Sequence, residues 1–151
     1  MTYKANLQRR KLLAAGIALA VARPVFATPE EMAAAIGAFT GGAAPKAGRV
    51  KLEVAALVDN GNAVPVSVAV DSPMTAADHV TAIAIFNERN PQTDVARFTL
   101  GPRSGKALVS TRIRMATSQK LTAVARMSDG SFWSGSADAI VTLAACIEGE
   151  A

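Results

Sequence analysis

The sequence predicts an all-β domain, an antiparallel β-sandwich of about seven strands preceded by one short helix. Three observations predict it. From residue 49 onward apolar and polar residues alternate with period two, as in Val50, Leu52, Val54 and Ala56 set between Lys51 and Glu53. Turn signals recur at short intervals: Asp59-Asn60-Gly61-Asn62, Asp71-Ser72-Pro73, Asn90-Pro91, Gly101-Pro102 and Asp129-Gly130. Strands do not alternate with helical patterns, which argues against a parallel α/β sheet.

Residues 1–27 read as a signal peptide. Lys4, Arg9, Arg10 and Lys11 form a basic start, and Leu12 to Ala22 is an apolar stretch too short to span a bilayer. Val25-Phe26-Ala27 has the small-x-Ala form of a cleavage site. Arg9-Arg10 followed by Lys11-Leu12-Leu13 resembles a twin-arginine signal, with Gln8 where Ser or Thr is usual. The expectation is export to the periplasm, with no membrane association after cleavage.

Export changes the charge. The whole chain of 151 residues carries 16 Lys and Arg, 12 Asp and Glu, and a net charge of +4. Five of the cations (Lys4, Arg9, Arg10, Lys11, Arg23) lie in the leader, so 28–151 keeps 11 against 12 acids, a net of −1. No basic stripe remains and Trp133 is the only tryptophan, which removes the support for nucleic-acid binding.

Thr28-Pro29-Glu30-Glu31 is a helix start. Thr28 can cap, Pro29 suits the first helical position, and Glu31 completes a capping box. Met32, Ala35, Ile36 and Phe39 recur at helical spacing, and Gly41-Gly42 ends the segment. This predicts a short amphipathic helix packed on the body or on a partner. Strands are expected over Val50 to Ala56, Val64 to Val70, Val80 to Phe86, Val95 to Leu100, Lys106 to Met115, Leu121 to Met127 and Ser131 to Leu143. Asp129-Gly130 reads as a two-residue hairpin turn joining the last two. The organisation is therefore a leader (1–27), a β-sandwich domain with its helix (28–143) and a C-terminal arm (144–151).

Catalytic constellations are scarce. The single histidine, His79, stands beside Asp78 after a turn and reads as a surface residue. One His and one Cys cannot make a zinc set, no glycine-rich loop opens a helix to cradle phosphate, and no two acids are paired by spacing. No metal, cofactor or catalytic residue is expected.

Cys146 is different. It is the only cysteine in a chain expected to be exported, so it forms no internal disulfide. A lone cysteine is ordinarily buried and inert, or pairs between molecules. Here it follows the last strand, five residues from the C-terminus, flanked by the small Ala144 and Ala145. A thiol so placed is expected to be exposed and mobile, able to reach another protein's site and join another sulfur atom as its thiolate. Glu148 and Glu150 disfavour the thiolate by like charge, which suits a group loaded by an enzyme.

Collinear runs through the domain resemble the SoxY sulfur-carrier proteins of the periplasmic thiosulfate-oxidising (Sox) system. They are Val64 to Met74 (VPVSVAVDSPM), Phe86 to Pro91, Ser104 to Ala107, Ser110 to Arg114 and Met127 to Trp133 (MSDGSFW). The resemblance covers 28–146, and the leader fits it. It implies an immunoglobulin-like subunit paired with SoxZ, a second β-sandwich, and a terminal cysteine that holds thiosulfate-derived groups covalently. It further implies that a c-type cytochrome pair loads that cysteine, a di-manganese hydrolase releases sulfate and a molybdenum-haem dehydrogenase oxidises the remaining sulfane. The attachment site maps onto Cys146, and the flanking arm onto Ala144, Ala145 and Ile147. The family's usual Gly-Gly-Cys-Gly-Gly end is here Ala144-Ala145-Cys146-Ile147-Glu148-Gly149-Glu150-Ala151, bulkier and more acidic. Two expectations follow: a carrier acted on by partner enzymes, or a SoxY-like paralogue that carries another sulfur species or serves as an interaction subunit.

Overall fold

A computed structural model describes residues 26–145. The helix forms where local chemistry places it. α1 (Pro29–Thr40) starts in a complete capping box: the Glu31 amide donates to Thr28 Oγ1 at 3.2 Å and the Thr28 amide to Glu31 Oε2 at 3.0 Å. Gly41 closes it with a left-handed φ of 65°. Just before the cap, Ala27 is buried and its amide donates to the Asn90 carbonyl at 3.2 Å. Cleavage at the expected site would remove that bond. The rest of the leader, 1–25, lies outside the described residues.

Nine strands follow among the described residues: β1 (Lys46–Ala47), β2 (Val50–Val54), β3 (Leu57–Val58), β4 (Val64–Val70), β5 (Val80–Asn87), β6 (Asp94–Thr99), β7 (Leu108–Ile113), β8 (Gln119–Met127) and β9 (Phe132–Val141). Seven are the expected strands. They form two sheets, one ordered β1-β9-β8-β5-β6 with β3 also on β9, the other β2-β4-β7. All pairings are antiparallel except two short ones, β1 and β3 on β9. The segment 46–58 thus runs beside β9 and bows to the opposite sheet in its middle, where β2 pairs with β4. At the bow the Val50 carbonyl lies directly against Gly135 of β9, where a side chain would collide with it.

The core lies between the sheets. Val64, Val66, Val68 and Val70 of β4 point in, opposite Ile83 and Ile85 of β5 and Leu121, Ala123 and Ala125 of β8. β5 and β8 lack simple alternation because their other faces are buried too: α1 lays Met32, Ala35, Ile36 and Phe39 on Ala84, Phe86, Val124 and Phe132. Phe39 meets the Phe86 and Phe132 rings edge-on, both at 6.0 Å. Pro65 is tolerated in the middle strand because β2 stops opposite Val66, one residue short of it.

The β8–β9 turn differs from the two-residue expectation. Arg126 pairs with Phe132, the Met127 amide donates to the Ser131 carbonyl at 2.9 Å, and Ser128 to Gly130 form a three-residue loop. A two-residue type I′ turn needs positive φ at both Asp129 and Gly130; Gly130 has φ 83°, whereas Asp129 is not among the positive-φ residues. Asp129 instead accepts from the Ser131 amide at 2.8 Å and its hydroxyl at 2.7 Å, which holds the longer loop.

Candidate functional site

The last strand delivers the chain end to one rim of the sandwich. β9 is held there from two sides. The Ile140 and Thr142 amides donate to the Ala56 and Val58 carbonyls at 2.9 and 3.0 Å, and the Val141 amide to Ser118 Oγ at 2.9 Å. Beyond β9 the chain does not leave the body at once. The Leu143 carbonyl accepts from the Gly61 amide at 2.8 Å, and the Ala145 amide donates to the Met115 carbonyl at 3.1 Å. The Met115 amide in turn donates to the Gly61 carbonyl at 2.8 Å. Ala144 is exposed and Ala145 is buried. Cys146 and Ile147, the remaining residues of the expected attachment site, lie outside the described residues.

A side-chain hub sits behind Met115. Asn90 donates to the Arg114 carbonyl at 2.7 Å and accepts from the Ala116 amide at 2.9 Å. It thereby ties down the peptides on both sides of the residue that holds Ala145. Gln119 donates to Asn90 Oδ1 at 2.8 Å and accepts from the Arg89 amide at 3.0 Å. Asn87, fully buried, donates to the Gln92 carbonyl and accepts from the Asn90 amide. In sequence, Asn90-Pro91 and Asp59-Asn60-Gly61-Asn62 read as turns and nothing more. The available signal is weak: a glycine in an Asn-rich turn is ordinary, and Met115 acts through its backbone.

Other polar groups are engaged in the fold. His79 Nδ1 lies 2.9 Å from the Thr75 carbonyl, and its amide donates to Ser128 Oγ at 3.1 Å. Trp133 has Lys46 Nζ and the Arg49 guanidinium at 5.6 and 5.5 Å from its ring. Arg49, at φ 58°, is pinned by the Asp71 carbonyl at 2.9 Å and Asp78 at 3.6 Å. The Ser131 hydroxyl, then its amide, hold Asp129 below the usual carboxylate range. Among the described residues no group of three or more His, Cys, Asp or Glu side chains could hold a metal ion, and no helix is long and apolar enough to cross a membrane.

These features define a small two-sheet sandwich whose chain stays hydrogen-bonded to the body beyond its last strand, as far as Ala145. The family model for sulfur oxidation protein SoxY matches residues 36–146, ending on Cys146. The chain belongs to the SoxY family. Among solved structures it resembles the sulfur carrier protein SoxY from Chlorobium limicola f thiosulfatophilum, with 28% identity, 72% of this chain and 89% of that one covered, and TM-score 0.61. It also resembles a superoxide reductase (neelaredoxin) from Ignicoccus hospitalis, with 18% identity, 76% and 92% covered, and TM-score 0.56. A superoxide reductase from Nanoarchaeum equitans gives 13% identity, 63% and 99% covered, and TM-score 0.54. At these identities the reductases share the fold alone. No curated protein sequence matches the chain significantly. The immunoglobulin-like sandwich expected from the resemblance is the architecture observed.

Proposed function

We propose that this protein is a periplasmic carrier that holds thiosulfate-derived groups covalently on Cys146 while partner enzymes act on them. The observation that carries the reading is the family match through residues 36–146, ending at the lone cysteine. In the loading step the thiol sulfur bonds to the sulfane sulfur of thiosulfate. The thiol proton goes to solvent and two electrons go to the c-type cytochrome partner. Water then cleaves the terminal sulfonate as sulfate at the di-manganese hydrolase and leaves a persulfide; the molybdenum-haem dehydrogenase would oxidise its outer sulfur to a sulfonate, the oxygens coming from water and the electrons passing to the dehydrogenase. The chain supplies the attachment atom and its placement; the chemistry belongs to the partners.

A SoxZ-like subunit is the proposed permanent partner. Leu57 and Ile140, side by side in register, are 59% and 61% exposed, and Leu143 is 61% exposed. This apolar set beside the chain end supports burial in a partner. Intact-mass measurement of protein from thiosulfate-grown cells tests the reading. Adducts on Cys146 that reductant removes support it, and an unmodified thiol under every condition overturns it.

One observation favours a second reading. The Ala144-Ala145-Cys146-Ile147-Glu148 end replaces the family's glycines, which suits a paralogue that carries another sulfur species or serves as an interaction subunit. A Cys146→Ser strain that still oxidises thiosulfate normally would favour it.

A further inference from the structure

We infer that Gly61 and Met115 are positioning residues for the Cys146 thiol, forming a seat that fixes the chain one residue before the cysteine. The inference rests on the carrier reading for its purpose but not for its geometry. Three backbone bonds close the seat: Gly61 amide to Leu143 carbonyl, Met115 amide to Gly61 carbonyl, and Ala145 amide to Met115 carbonyl, at 2.8, 2.8 and 3.1 Å. Gly61 is required by space. A methyl group there would stand 2.8 Å from the Ala145 nitrogen, 3.1 Å from Val141 Cγ1, and closer still to the Met115 oxygen. The chain end therefore crosses directly over a residue with no side chain. Asn90 stiffens the seat by bonding the peptides on either side of Met115.

The seat sets where the tether of the thiol begins. With Ala145 held, it begins one residue before Cys146. When the bonds of Leu143 and Ala145 open while Thr142 stays on β3, four residues are freed and the cysteine reaches roughly 13–14 Å from the rim. Entry into a deep partner site thus requires the seat to open, whereas the docked end keeps a reactive sulfur group close to the body. This differs from a tail free from residue 144 onward.

Cys146 is the only cysteine, so one thiol-specific nitroxide label reports on it alone. The full mature chain is compared with Gly61→Ala. Ala145→Pro, which removes the donor to Met115, is the second variant. Amide exchange is followed at Ala145 and at Thr142. The expected result is an Ala145 amide protected at least about tenfold over a free peptide. Gly61→Ala should abolish that protection while Thr142 keeps its own, and both variants should narrow the label's spectrum. Gly101→Ala, whose methyl meets nothing within 4 Å, should leave the spectrum unchanged. An unprotected Ala145 amide in the parent, or label spectra alike in the parent and both variants, overturns the inference. Neither readout needs sulfur cargo: a seat that holds while Cys146 stays unmodified in cells sinks the carrier reading alone.

Discussion

Gln119 donates a 2.8 Å side-chain bond to Asn90, joining the start of β8 to a turn 29 residues earlier in sequence. Through Asn90 that bond reaches the Arg114 carbonyl and the Ala116 amide, so one asparagine organises the rim from which the chain end departs.

Asn90→Ala should cost about 1–3 kcal/mol, because it leaves the part-buried Ala116 amide without its acceptor and removes the bonds to the Arg114 carbonyl and from Gln119, whose amide keeps its bond to the Thr117 carbonyl. Urea unfolding measures the loss. A cost below about 1 kcal/mol would show that water replaces the hub.

Phe39→Ala should loosen the helix from the sheet. Phe39 is half-buried against the Phe86 and Phe132 rings, with Arg97 5.5 Å from its centroid. We expect a loss of about 2 kcal/mol. Amide exchange should accelerate through 29–40 well before the strands respond, and uniform acceleration would contradict a separately docked helix.

Gly135→Ala should be among the most damaging single-methyl changes. The added carbon has to displace the Val50 carbonyl at the point where the chain crosses between sheets, at a cost of about 3 kcal/mol. A variant as stable as the parent would mean that the bow relaxes freely.

Asp129 should titrate below its ordinary value of 3.8, since Ser131 donates to the ionised form. A depressed carboxylate contributes stability that is present above the ordinary value and lost as pH falls through the lowered one. Ser131→Ala should move the Asp129 titration upward, as followed by carboxyl carbon shifts in NMR. An unmoved titration would assign the shift elsewhere.

Much of this architecture is written locally. The capping box needs only Thr28 and Glu31, three residues apart, and the valines of β4 alternate without interruption. β1 and β3 are not visible in the sequence because each is two residues long and pairs with β9, about 85 positions away. Ser128–Gly130 misleads because Asp-Gly suits both a two-residue turn and a loop whose last residue alone is left-handed. At the site, the cysteine stands out by its position, whereas its seat does not: the Leu143, Met115 and Ala145 bonds run through main-chain atoms that leave no mark on residue identity.

The parallel pairing of β1 and β3 on β9 also has a mechanical meaning. A partner that draws the chain end outward along the strand loads β9 in shear against Lys46–Ala47, Leu57–Val58 and all of β8. Bonds in shear share the load and yield together, whereas the bonds at Leu143 and Ala145 can be unzipped one after the other. Tension on the tail is thus relieved at its root, and the sandwich keeps its shape while its end is pulled.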